Sequence, residues 1–167
     1  MQKRKILIVM GSESDLPVMQ ETAKLLSLFE VAFDMRIASA HRSPDLVEEI
    51  VAEAERGGSA AIIAGAGAAA HLAGAIAART ILPVIGVPLD SSPLRGMDAL
   101  YSTVQMPPGV PVATMAVGAA GAKNAAIFAA QILAASDGKI EKLLRRYRRD
   151  LAEEVKRKSR VLKQPKS

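Results

Sequence analysis

The residues best suited to chemistry fall in short polar segments, each following an aliphatic run. The chain has only two histidines, His41 in SAHRS (39–43) and His71 in GAGAAAHLAG (65–74). Imidazole is the side chain best matched to proton transfer near neutral pH. Near them in sequence stand Ser39, Arg42 and Ser43, and earlier the segment GSESD (11–15) supplies Ser12, Ser14 and Asp15. Serine hydroxyls with a guanidinium suit a phosphate, and Asp15 suits a ribose hydroxyl pair or an amine. Gly65 to Ala70 carry almost no side chain, so the backbone there can approach a ligand closely. A strand-to-helix turn of this kind favours phosphate or carboxylate at the helix N-terminus, and the spacing puts His71 in the first turns of that helix. This inventory points to a sugar phosphate undergoing proton transfer. There is no P-loop lysine pattern, no metal-ligand spacing and no serine in a nucleophile elbow.

The elements that must position these groups can be read from the apolar pattern. Residues 5–10 (KILIVM) form a buried strand, and Leu16, Met19, Ala23 and Leu26 follow at helical spacing. Residues 31–38 form a second strand. Ser43 then caps a helix that begins at Pro44, buries Leu46, Val47, Ile50, Val51 and Ala54, and exits at Gly57-Gly58. Ile62 and Ile63 mark a short third strand before the small-residue turn. Residues 83–87 form a fourth strand, followed by an irregular stretch and a short helix near 98–104. A fifth strand spans 111–117, an alanine-rich helix about 122–133, and a charged helix about 139–160. Strands alternating with helices imply a parallel five-stranded sheet covered on both faces, a three-layer α/β/α architecture. Sites in such folds lie beyond the carboxyl ends of the strands. GSESD, SAHRS, GAGAAAH, PLDSS and VGAAG should therefore meet around one pocket.

Composition sets outer bounds. At 167 residues and 50% hydrophobic the chain suits a single domain, 1–167, with its core in about 5–135 and a helical extension at about 137–162. With 3% aromatics that core must be aliphatic. The absence of cysteine removes any disulfide framework or thiolate metal site and fits a cytoplasmic setting. No apolar run reaches membrane-spanning length, and the opening segment is a poor signal peptide. The net charge of +5 is uneven: residues 139–167 carry 12 Lys/Arg against 4 Asp/Glu, so the rest is slightly acidic. A basic tail can bind nucleic acid, but with Tyr147 as the one aromatic nearby a solvated or intersubunit face is the expectation.

Two readings fit the spacing. Gly65-x-Gly67-x-x-Ala70 with Asp90 about twenty residues on satisfies a loose dinucleotide fingerprint and would suit a nicotinamide-dependent oxidoreductase. That fingerprint normally opens the first βαβ unit, whereas here it falls in the third, and it leaves His71 without a role. The second reading comes from resemblance. GSESD, SAHRSP, GAGAAAHLAG, YSTVQMPPGVPV and NAAIFAAQIL, in this order over about residues 5–135, closely resemble class I PurE, the N5-carboxyaminoimidazole ribonucleotide mutases, within the phosphoribosylaminoimidazole carboxylase catalytic subunit family.

The resemblance implies a flavodoxin-like sheet, an isomerase of de novo purine biosynthesis and a homo-octamer, with no metal, ATP or biotin; the apolar runs imply no membrane partner, and a nucleic-acid partner stays the lesser alternative. It makes His41 the general acid/base. Ser12 and Asp15 would bind the nucleotide, and Ser39 and Arg42 its phosphate. Gly67, Ala68, Ala70, His71 and Leu72 would line the carboxylate or CO2 pocket, and residues 105–110 would form a mobile covering loop. The runner-up is a carboxylase that takes CO2 directly. Two positions depart from the family's usual loop: Ala68 replaces a glycine, harmless to the approach of the loop to a ligand where its φ is below zero, and Ala73 replaces a proline.

Overall fold

A computed structural model describes residues 4–162. The ends of the 1–167 domain and of the basic tail lie outside the described residues. Five parallel strands, β1 (Ile6–Met10), β2 (Phe33–Ile37), β3 (Ala61–Gly67), β4 (Val84–Leu89) and β5 (Ala113–Thr114), form one sheet in the order β2-β1-β3-β4-β5. This is the flavodoxin-like order, whose switch point lies between β1 and β3.

Every residue of β1 and β4 is buried, as expected of strands covered on both faces. Side chains of β1 alternate between two cores. Ile6, Ile8 and Met10 join Met19 and Leu26 of α1 (Leu16–Leu28) and the alanines of α5 (Ala119–Ala134). Leu7 and Val9 join Val47, Ile50, Val51 and Ala54 of α2 (Pro44–Arg56), with Leu72 and Ile76 of α3 (Leu72–Ala77). Complete burial of one such aliphatic side chain contributes roughly 1.5–3 kcal/mol. Thr22, buried in the α1/α5 contact, donates its hydroxyl hydrogen to the Ala122 carbonyl at 2.9 Å. The expected face of α2 holds except at Leu46, which is exposed.

Two strands differ in extent from the sequence expectation, and one cap differs in its bonding. The stretch Gly65–Gly67 is not turn but the end of β3, in register with Val87, Pro88 and Leu89 of β4. Ladder bonds come from the main chain and need no side chain, and a Cβ on Gly65 would lie 2.4 Å from Met19 Sδ. The fifth strand shrinks to two residues, paired only with Ile85 and Gly86. Beyond it the chain stays alongside β4 through Met115 N–H to Gly86 O and Gly118 N–H to Pro88 O, without a regular ladder. Ser43 occupies the N-cap position of α2, but its hydroxyl makes no cap bond. Instead it accepts from Ser39 N–H at 3.0 Å and lies 3.2 Å from Ser39 O, bracing the loop that carries His41.

The helix α4 (Met97–Val104) follows β4, and α6 (Gly138–Leu162) closes the chain. The first turns of α6 pack within the domain, where Ile140 and Leu144 are buried and Tyr147 meets Phe29 edge-on at 5.4 Å. For these turns that corrects the expectation of a solvated or intersubunit face. From Arg148 onward every described residue is exposed, including Leu151 and Val155. Among the described residues no helix is long and apolar enough to cross a membrane.

Candidate functional site

The β1/β3 switch point opens into a cleft of about 340 Å³, the size of pocket that takes one small-molecule ligand. Four of the five strand-end segments reach it. Gly11, Ser12, Ser14 and Asp15 come from the end of β1; Ser39, Ala40, His41 and Arg42 from the end of β2; Ala66, Gly67, Ala69 and Leu72 from β3 and the start of α3; and Ser91 from the end of β4. The fifth, VGAAG, contributes nothing to the lining because strand order puts β5 at the far edge of the sheet.

One end of the cleft is polar and braced from within. A single 3-10 turn, Glu13–Asp15, precedes α1, and Ser12 caps it in a reciprocal box: its side chain takes Ser14 N–H while Asp15 Oδ2 accepts Ser12 N–H at 3.0 Å. Asp15 is buried, and that burial raises its carboxyl above the ordinary 3.8. The backbone N–H groups of Ser12 and Gly11 and the charge of Arg42 pull the other way without cancelling it. Arg42 spans the mouth, donating from Nη2 to Gly11 O at 3.1 Å and approaching Ser39 Oγ with Nε at 3.5 Å. Its own N–H donates to Ser39 Oγ at 3.2 Å. One guanidinium, three serine hydroxyls and a buried carboxylate thus converge.

The other end is small and apolar: Ala66, Gly67, Ala69 and Leu72. A Cβ on Gly67 would come within 1.8 Å of Ser91 Oγ, so this glycine lets the Ser91 hydroxyl close over the strand end. His41 lines the cleft; His71, expected to line it, does not, but meets His41. His41 Nε2 lies 2.8 Å from His71 Nδ1, the rings edge-on with centroids 5.0 Å apart. One of the facing nitrogens donates and the other accepts, so a proton can pass between the rings.

The loop ahead of α3 departs from the expectation. His71 is the N-cap, not a residue of the first turns, and α3 is only six residues long. The Ala70 and His71 N–H groups are already engaged, by Ala68 O and Ala69 O at 2.8 Å each, and Ala70 N–H also reaches Ser102 Oγ of α4 at 3.2 Å. Neither Ala68, which is exposed, nor Ala70, which is buried, lines the cleft, while Ala69 between them does. Ala68 has φ 51°, against the condition on which its replacement of glycine is harmless. Left-handed backbone costs an L-residue about 1–2 kcal/mol, while glycine loses about 0.4–1 kcal/mol through the freedom of its unfolded chain. Ala68→Gly should therefore stabilise the protein by about 0.5–1 kcal/mol, read as a raised unfolding midpoint in denaturant.

Residues 105–110, expected as a cover, take no part in lining this cleft; Met106 packs over Gly74 of α3. Sequence reasoning missed Ser91 and Ser102 as individual residues. Ser91 had a signal, a hydroxyl directly after the fourth aliphatic run. Ser102 had none, because it sits mid-helix. The fingerprint of the dinucleotide reading also dissolves, since Gly65 and Gly67 belong to β3 and no glycine-rich turn precedes α3.

Comparison with known proteins agrees with this geometry. The chain is 54% identical over 147 residues to the N5-carboxyaminoimidazole ribonucleotide mutase of Pyrococcus abyssi, covering 88% of this chain and 83% of that one. It is 49% identical over 151 residues to the enzyme of the same name from Escherichia coli, covering 90% and 89%. The crystal structure of Treponema denticola PurE superposes with a TM-score of 0.88 at 28% identity, over 96% of this chain and 99% of that one. A model of the AIR carboxylase family matches residues 5–154, a span that holds the whole cleft and both histidines, and the chain belongs to that family.

Proposed function

We propose that the protein is an N5-carboxyaminoimidazole ribonucleotide mutase, an isomerase of purine biosynthesis that moves a carboxylate from N5 to C4 of the imidazole. The observation that carries this reading is a single cleft lined by phosphate-suited polar groups, by small apolar residues and by His41. Relatives near 50% identity bear the mutase name, which favours it over direct carboxylation.

The substrate's N5 carboxylate is a carbamate. Cleavage of its N–C bond leaves the electron pair on N5, which takes up a proton, and frees CO2. The remaining aminoimidazole is an enamine with a nucleophilic C4; attack on CO2 forms the new C–C bond, and loss of the C4 proton restores the ring. One proton is taken up at N5 and one is lost from C4, so a single acid/base closes the cycle. His41 fills that role, giving its proton to N5 and recovering it from C4. Arg42 and Ser39 hold the phosphate, Ser12 and Asp15 the ribose or the ring amine. Gly67, Ala69 and Leu72 confine the CO2, supplying an effective concentration that solution cannot. His71 orients His41 through the 2.8 Å contact.

The test supplies N5-carboxyaminoimidazole ribonucleotide without bicarbonate and, separately, aminoimidazole ribonucleotide with it. Rapid conversion of the first to the 4-carboxy product supports the mutase; rapid turnover of the second alone would establish the carboxylase instead.

The same reading includes a cytoplasmic homo-oligomer, an octamer as the family resemblance implies. It is supported by Leu151 and Val155 on the exposed part of α6, continuing the stripe that begins with the buried Ile140 and Leu144. Truncation after Arg149 keeps the turns that pack at home, and light scattering should then report fewer chains per particle. An unchanged mass would move the interface elsewhere. A full-length mass of one chain would refute assembly, and salt-sensitive DNA or RNA binding lost on truncation would favour the nucleic-acid reading.

A further inference from the structure

We infer that Ser102, on α4 and outside the cleft, is a positioning residue that holds the apolar half of the site in its working shape. The inference rests on the proposed mutase reaction. The Ser102 hydroxyl has one hydrogen, which it gives within its own helix to Asp98 O at 2.6 Å. Its oxygen is then free to accept Ala70 N–H at 3.2 Å, and it lies 3.5 Å from Ala68 O. One oxygen therefore ties α4 to Ala70, the residue after Ala69, the alanine that lines the cleft.

The loop needs such a link. Ala68 sits at φ 51°, a conformation an alanine leaves readily unless its surroundings hold it. The bonds within the loop, Ala70 N–H to Ala68 O and His71 N–H to Ala69 O, span only two residues each and tie the loop to itself, not to the domain. The Ser102 contact fastens this backbone to a neighbouring helix. The next residue is His71, whose Nδ1 meets His41 Nε2. Movement at Ala70 would thus disturb two things together: the wall against which CO2 is trapped and the orientation of the acid/base. A cleft that loosens by a fraction of an ångström lets CO2 escape before C4 recaptures it.

The consequence is a change in how each turnover ends. With the full-length protein and N5-carboxyaminoimidazole ribonucleotide, the 4-carboxy product and released aminoimidazole ribonucleotide are quantified separately, after subtracting the enzyme-free breakdown. Ser102→Ala should lower kcat about tenfold with KM within about twofold of wild type, since misplaced groups cost rate more than binding. The fraction of turnovers ending in released aminoimidazole ribonucleotide should rise severalfold. Ser102→Thr keeps the hydroxyl and should restore both values. An unchanged partition in Ser102→Ala overturns the inference whatever happens to kcat, because a general loss of stability would reduce active enzyme without diverting CO2. Failure of threonine to restore the partition overturns it as well. If Ser102→Ala does not fold, Ser102→Cys, of similar size but with a poor acceptor, carries the same comparison. A wild-type protein that does not isomerise the substrate refutes the mutase reading itself, which separates that failure from failure of the Ser102 role.

Discussion

Replacing His41 with asparagine will lower turnover by about a hundredfold or more while leaving ligand affinity nearly unchanged. Asparagine keeps a polar group of similar size but cannot take up and return a proton, and removing a positioned acid/base typically costs 10²–10⁴ in rate. The groups proposed to hold the phosphate are left in place, because Arg42 is anchored on Gly11 O and Ser39 Oγ and not on the imidazole. A loss confined to kcat is therefore the signature. A loss in KM with kcat retained would make His41 a binding contact only. His71→Asn is the internal control. It removes the ring that faces His41 Nε2 yet leaves the proposed acid/base intact, so its effect should be smaller. An inactive His71→Asn beside a nearly wild-type His41→Asn would exchange the two assignments.

The second large effect concerns Asp15. Its folded carboxyl is raised above 3.8, so between that value and the folded one the native chain holds a proton that the unfolded chain has released. Stability from this group is therefore lost as pH climbs through that window, and the cost of burying the charge is complete above it. Asp15→Asn removes the cost. The variant should be at least as stable as wild type at pH 7, with a smaller advantage near pH 4, as read from thermal midpoints at the two pH values. Function should move the opposite way. A hydrogen bond to a charged group contributes about 1.5–3 kcal/mol, so loss of the carboxylate should raise KM roughly tenfold to a hundredfold. A gap in midpoint that does not vary with pH would remove burial as the cause of the shift. An unchanged KM would remove Asp15 from the nucleotide contact.

Much of the architecture was legible because buried parallel strands announce themselves as continuous aliphatic runs. Residues 5–10 and 83–87 were readable as strands, and Pro44 with Gly57 bracketed α2 to within a residue. The converging strand ends followed from the fold class, which is why Ser12, Asp15, Ser39, His41 and Arg42 could be placed together before any coordinates. What failed to show depends on tertiary partners. Gly65 looks like turn in sequence, and only Met19 packed against its α-carbon explains a glycine inside a strand. Ser43 reads as a cap, but the nearby Ser39 backbone competes for its hydroxyl and wins. The sign of φ at Ala68 cannot be read from an alanine at all. Ser102 is a mid-helix serine whose partner, Ala70, lies 32 residues away in sequence.

The two borders of the sheet bear on how copies of this chain can meet. An open strand edge is a row of unpaired main-chain donors and acceptors, a template on which another chain can add. Here one border, β5, is two residues long, too short to seed a ladder. The other, β2, is guarded by charge: Asp34 pairs with Lys5, and Arg36 with Glu53. Neither border invites continuous β-pairing between molecules. Orderly self-association is thereby steered to helical surfaces, and runaway stacking during crowded synthesis is discouraged by the same two features.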